Sequence, residues 1–214
     1  MLYSRFNTII TFDLHDVVFK FDYKKIFHLI WTTDRKWAIF TTIAYPRFIW
    51  NLLKLLYKKP IDHDIFEIFS HQRPILLPLA IEIMNATKII GDTAKIIKEL
   101  DDKGYYLDIL TNATDKRFIA LQKNYPDLFS HFRYSKKITK PSSPDLRKPH
   151  EPFFREYLER IKDLNKTDFP LQNILFIDDN KKNIKTAQKV GMNTIRFKSP
   201  QQLREALVEL RILP

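Results

Sequence analysis

Three short apolar runs, each ending in residues that carry chemistry, constrain this chain more than any other feature. Residues 7–14, NTIITFDL, place Ile9, Ile10, Thr11 and Phe12 ahead of Asp13. Residues 105–111, YYLDILT, lead into Thr111 and Asn112, and residues 173–178, NILFID, lead into Asp178 and Asp179. Branched and aromatic side chains favour strands, and near-continuous apolar runs suit parallel strands covered on both faces. Helical patterns separate them. One is expected to be capped by Asp92 or Thr93 and to run to about Lys103, with Gly104 in the left-handed position beyond its end. Others are expected over 114–124, 151–163 and 181–190, the last ending at Gly191. Phe132 to Ile138 reads as a short strand and 139–149, rich in Pro and Ser, as a loop. A strand over 194–197 and a helix over 200–210 close the chain. Strands alternating with helices predict an α/β fold, a Rossmann-like parallel sheet flanked by helices. Ligands in such sheets bind beyond the carboxyl ends of the strands, which is where Asp13, Thr111, Asn112, Asp178 and Asp179 stand.

The texture changes between about residues 23 and 87. Phe27, Trp31, Trp37, Phe40, Tyr45, Phe48, Trp50 and Tyr57 crowd in, and Pro46, Pro60, Pro74 and Pro78 cut the stretch into short segments. Apolar residues at 48, 49, 52, 53, 55 and 56 recur at helical spacing. The expected organisation is an α/β core of residues 1–20 and 88–214 with a helical insertion over 21–87. Its aromatics are chiefly packing; Phe19, Phe21, Trp31 and Trp37 are the candidates for facing a site.

The 214 residues include no cysteine, which excludes disulfides, thiolate zinc sites and a cysteine nucleophile, and fits a reducing, cytoplasmic setting. The formal net charge of +11 favours a small anionic partner. The lysines are scattered pairs, Lys24-Lys25, Lys58-Lys59, Lys136-Lys137 and Lys181-Lys182, so a specific nucleic-acid site is not expected and a solvated basic surface is the plainer reading. Asp13 and Asp16 interrupt the first apolar run too early for a signal peptide. The most membrane-like window, Trp37 to Tyr57, holds Pro46, Arg47, Asn51 and Lys54, which argues against a span and leaves only peripheral contact with a membrane surface open. His63 and His71 are eight apart without a third clear ligand, so no metal site is expected there.

In order along the chain, TFDLHDVV, LTNA, RKPHEPFFREYL and FIDDNKKNIKTAQKVGM resemble the four motifs of the haloacid dehalogenase-like (HAD-like) hydrolase superfamily. The resemblance spans nearly the whole chain outside the insertion, and the fourth motif is the most specific. It implies a phosphatase-type hydrolase with Asp13 as a nucleophile that forms an aspartyl-phosphate. It also implies Mg2+ held by Asp13, the main-chain carbonyl of His15 and Asp178, with Asp179 ligating or holding a water. Thr111 and Asn112 would hydrogen-bond the phosphoryl oxygens of a phosphorylated substrate, and Lys148 would neutralise the nucleophile and the transferring group. An insertion in this position corresponds to the family's cap. Taken singly, an Asp at a strand end such as Asp13 is more often a turn former or helix cap, Asp178 and Asp179 could cap the following helix, Thr111 could be a plain strand residue and Lys148 an ordinary surface lysine, and Asn183 reads as a structural hydrogen bonder.

The chain departs from the family pattern just after the nucleophile. The second Asp that serves phosphatases as general acid and base is replaced by His15, the small Gly after it by Asp16, and Val17 fills the Thr/Val position. Members without the second Asp include dehalogenases and phosphonate-cleaving enzymes. Histidine titrates near neutral pH and can move protons, Asp16 can reach in instead, or the site binds without efficient turnover.

Overall fold

The structure, a computed structural model, describes residues 3–4, 7–32, 78, 82–83, 86–113, 115–133, 146–165 and 173–214. The chain forms two compact units, one of residues 1–20 and 88–214 and one of residues 21–87.

The first unit is built on a four-stranded parallel sheet. Its strands are β1 (Ile9–Phe12), β4 (Tyr106–Ile109), β5 (Ile174–Asp178) and β6 (Asn193–Arg196), in the order β4-β1-β5-β6. β1 pairs with β4 on one side and β5 on the other, with Phe12 level with both Ile109 and Ile177. Parallel neighbours need crossovers, and helices supply them. These are α2 (Gly91–Asp102), α3 (Asp115–Asn124), α4 (Pro126–Ser130), α5 (Glu151–Asn165) and α6 (Lys181–Lys189), while α7 (Pro200–Glu209) follows the last strand. β2 (Phe19–Phe21) and β3 (Thr87–Ile89) form a separate two-stranded sheet.

Strand side chains alternate between faces, and the two cores follow that alternation. Ile10, Phe12, Leu107, Ile109, Leu175 and Ile177 pack with Ile97 and Leu100 of α2 and Leu203 and Leu207 of α7. Ile9, Ile174 and Phe176 pack on the other face with Phe153, Phe154, Tyr157 and Ile161 of α5 and Ala187 of α6. By the same alternation Thr11 and Asp13 share the α5 face with Phe176 and Asp178. Phe19 is buried among the first group, its ring 5.1 Å from that of Tyr125, so it is core.

Several boundaries differ from expectation. α2 is capped two residues before Asp92, with Ile90 at its N-cap and no side-chain cap. Thr93 is fully buried, and Asp92 lies in the first turn, paired with Lys95 at 2.9 Å, where an acid meets the positive end of the helix dipole. The helix does end as expected: Gly104 has φ 82°, and the Tyr105 N–H reaches back to the Leu100 carbonyl. Phe132 and Arg133 are not in a strand; Phe132 packs edge-on against Phe12 instead, and residues 134–138 lie outside the described residues.

In the second unit, α1 (Tyr23–Thr32) begins after Asp22, whose N–H donates to Ala86. Phe27 and Trp31, both exposed, stack at 6.1 Å on its surface. The helical pattern at 48–56, Trp37, His63, His71 and the window to Tyr57 lie outside the described residues. Among the described residues, no helix is long and apolar enough to cross a membrane.

Candidate active site

The register that levels Phe12 with Ile177 places the next residues, Asp13 and Asp178, side by side at the carboxyl ends of the two central strands. The Asp13 N–H donates to the Ile177 carbonyl at 2.9 Å, which keeps Asp13 in line with the sheet, and Oδ1 of Asp13 accepts from the Leu14 N–H at 2.7 Å. Carboxylate oxygens of Asp13, Asp178 and Asp179 lie within 4.8 Å of one another.

Lys148 comes from the turn before α5 and is almost fully buried. Its Nζ lies 2.8 Å from Oδ1 of Asp13 and 2.8 Å from Oδ2 of Asp178. The ammonium also stands over the Phe176 ring, 5.2 Å from its centroid. The Lys148 main chain is tied to the end of β4. Nδ2 of Asn112 donates to the Lys148 carbonyl at 2.9 Å, and Oδ1 of Asn112 accepts from the Lys148 N–H at 2.8 Å. Thr111 is buried, and its Oγ1 accepts from the Ala113 N–H at 3.2 Å.

Asp178 is held from several sides. Asn183 Nδ2 donates to both its oxygens, at 3.0 and 2.9 Å, and the Asn180 N–H donates to Oδ1 at 2.7 Å. The capping of α6 falls to Asn180, whose side chain accepts from the Lys182 N–H. The carboxylates of Asp178 and Asp179 are thus not spent on the helix.

His15 and Asp16 occupy the turn that follows. Asp16 has φ 58°, a left-handed conformation that suits glycine best, and its N–H donates to the Phe19 carbonyl at 2.6 Å. His15 Nε2 lies 4.0 Å from Oδ2 of Asp16, and the His15 side chain is about one-third exposed, at 36%.

The electrostatics are those of a site short of positive charge. Burial, then Asp178 and Asp179 against the opposing pull of Lys148, push the Asp13 carboxyl up to about 7. Burial, then Asp178 and Asp16, push Asp179 up to about 6. Burial alone would lower the Lys148 ammonium; Asp13 and Asp178 outweigh it and hold it above its ordinary value. Ionising all three carboxylates against one ammonium would leave an excess of two negative charges, which, on top of burial, is why Asp13 and Asp179 hold their protons more tightly than usual. An oxygen-only donor set with that deficit fits a hard divalent cation.

The haloacid dehalogenase-like hydrolase family model matches residues 57–197, well over half of the chain. The chain belongs to the haloacid dehalogenase-like hydrolases. Solved HAD-family structures share the fold at low identity. A HAD-family enzyme from Bacteroides thetaiotaomicron, in complex with magnesium and inorganic phosphate, is 17% identical over 90% of this chain and 94% of its own, with a TM-score of 0.59. L-2-haloacid dehalogenase from Xanthobacter autotrophicus, with chloropropionic acid covalently bound, is 17% identical over 100% of this chain and 85% of its own, with a TM-score of 0.55. A HAD hydrolase from Bacillus subtilis bound to magnesium is 18% identical over 94% and 98%, with a TM-score of 0.58. No curated protein sequence matches the chain.

One polar group next to this HAD site escaped the sequence reading. Thr11, two residues before Asp13, shares a 2.6 Å hydrogen bond with the Tyr157 hydroxyl, both buried. Beside it, fully buried Asp108 lies 3.7 Å from Nη2 of Arg160, whose guanidinium stands 5.2 Å over the Tyr157 ring. Burial holds the Asp108 carboxyl above its usual range, with Arg160 opposing. The available signal was an Asp inside an apolar strand, YYLDILT, together with a basic residue, Arg160, between the apolar positions Tyr157 and Ile161 of α5.

Proposed function

We propose that this HAD-like hydrolase cleaves phosphate esters through an aspartyl-phosphate on Asp13, with the residues 21–87 unit serving as its cap. The carrying observation is Lys148, buried and shared at 2.8 Å between Asp13 and Asp178, beside a third carboxylate. Asp13, the main-chain carbonyl of His15, Asp178 and Asp179 would hold Mg2+. When bound, the ion would neutralise the excess carboxylate charge and polarise the phosphoryl oxygens. The phosphate and magnesium complex of the Bacteroides enzyme supports the same ligands here.

An Asp13 carboxylate oxygen attacks phosphorus as the bond to the leaving oxygen breaks, and the departing alkoxide takes a proton from His15. Water then gives its proton back to His15 and attacks phosphorus, the bond between phosphorus and Asp13 breaks, and inorganic phosphate leaves. Thr111, and Asn112 through its main-chain N–H, hydrogen-bond the phosphoryl oxygens, while Lys148 balances their charge without moving.

The reading is tested with an aryl phosphate and magnesium. Hydrolysis that needs the ion and falls about a thousandfold or more in Asp13→Asn supports it. Unchanged activity in that variant removes the mechanism. Halide release from 2-haloacids without magnesium would assign the chain to the dehalogenase branch instead.

A further inference from the structure

We propose that the side chain of Asn112 is a positioning residue for Lys148 and does not itself bind the phosphoryl group. The inference rests on the reading of Lys148 as a phosphoryl-site cation. A lysine side chain has four rotatable carbons, so aiming its ammonium at two carboxylates means fixing the main chain it hangs from. Asn112 does this with both ends of its carboxamide. Nδ2 donates to the Lys148 carbonyl and Oδ1 accepts from the Lys148 N–H, at 2.9 and 2.8 Å. The pairing reproduces the reciprocal bonding of two strands at one residue, and it joins the end of β4 to the turn before α5. With its oxygen engaged and one N–H used, the carboxamide faces the Lys148 main chain. Phe176 and the two carboxylates then fix the other end of the side chain. Asn112 therefore serves the reaction through Lys148.

The test is calorimetric titration of inorganic phosphate into the magnesium-loaded full chain, for wild type, Asn112→Ala, Lys148→Met and the double variant. A positioning role predicts that Asn112→Ala weakens phosphate binding roughly tenfold in the wild-type background, and less than about twofold once Lys148 is Met. No loss in the single variant, or the full loss persisting in the double variant, overturns the proposal. Amide hydrogen exchange at Lys148, measured without magnesium or phosphate, is the second arm. The Lys148 amide is expected to be protected in wild type and to exchange roughly tenfold faster in Asn112→Ala; an unchanged rate overturns the proposal even where Lys148→Met does not fold. A wild type that binds no phosphate defeats the phosphoryl-site reading, while the exchange arm still decides the tie between Asn112 and Lys148.

Discussion

One ammonium, that of Lys148, is shared at equal 2.8 Å distances between Asp13 and Asp178. One positive charge thus serves two carboxylates, with Asp179 beside them as a third. The folded state is therefore left wanting a cation, and a ligand that binds only the folded state stabilises it by mass action.

Magnesium is accordingly expected to raise the melting temperature of the wild type, by about 2.7 kcal/mol of stability at a hundred times its dissociation constant. Asp178→Asn removes a charge from the cluster and is expected to abolish that increase. Scanning calorimetry with and without magnesium checks this, and a shift that survives in Asp178→Asn contradicts the placement of the ion.

In the proposed mechanism His15 protonates the leaving group. An alkyl leaving group needs a proton as it departs and an aryl one with an acidic phenol does not. His15→Ala is expected to slow alkyl phosphate hydrolysis by about a hundredfold while changing that of p-nitrophenyl phosphate only a few-fold. Equal losses on both substrates, or a large gain in His15→Asp, would show that His15 has no part in proton transfer.

Asp16 keeps a left-handed backbone at φ 58° and adds negative charge beside Asp179. Asp16→Gly relieves both and is expected to stabilise the chain by about 0.5–1 kcal/mol. Asp16→Ala retains a β-carbon in that conformation and should fall about 1 kcal/mol or more below the Gly variant. Urea unfolding of the two variants ranks them directly.

The Asp108 and Arg160 pair gives a pH signature. The Asp108 carboxyl is raised by burial, so the fold favours its protonated form, and that contribution is complete below the ordinary carboxyl pKa and lost as pH rises. Arg160→Met removes the opposing charge and raises the group further. The variant is expected to be less stable than wild type by about 3 kcal/mol at pH 8, with the gap closing as pH falls toward 4. A gap that stays constant between pH 8 and 5 removes the pairing from the account of stability.

The sheet was legible because NTIITFDL, YYLDILT and NILFID are apolar runs with only one arrangement that buries both faces. The convergence of their carboxyl ends followed from parallel topology. Other features were not legible. The true cap of α6 is Asn180, which single-residue cap preference cannot separate from Asp178 and Asp179. The start of α2 at Gly91, with Ile90 as its N-cap, reflects a strand leading straight into a helix. The two-way tie between Asn112 and Lys148 spans 36 positions and leaves no periodic trace. The positive φ at Asp16 depends on the turn as a whole, and the family's glycine there was its only sequence hint.

The pairing of β1 with β4 and β5 has a consequence for how the chain comes into being. β1 has no partner among the residues that directly follow it; Phe12 waits for Ile109 and Ile177. At ordinary synthesis rates the interval between the emergence of Asp13 and of Asp178 is on the order of ten seconds. Until β4 emerges the apolar strand has no sheet partner, and until β5 emerges one of its edges stays open to aggregation and to chaperones. The same pairing means that a nascent or truncated chain lacking β5 has Asp13 but neither Asp178 nor Asp179 beside it, so the carboxylate cluster exists only in the completed fold.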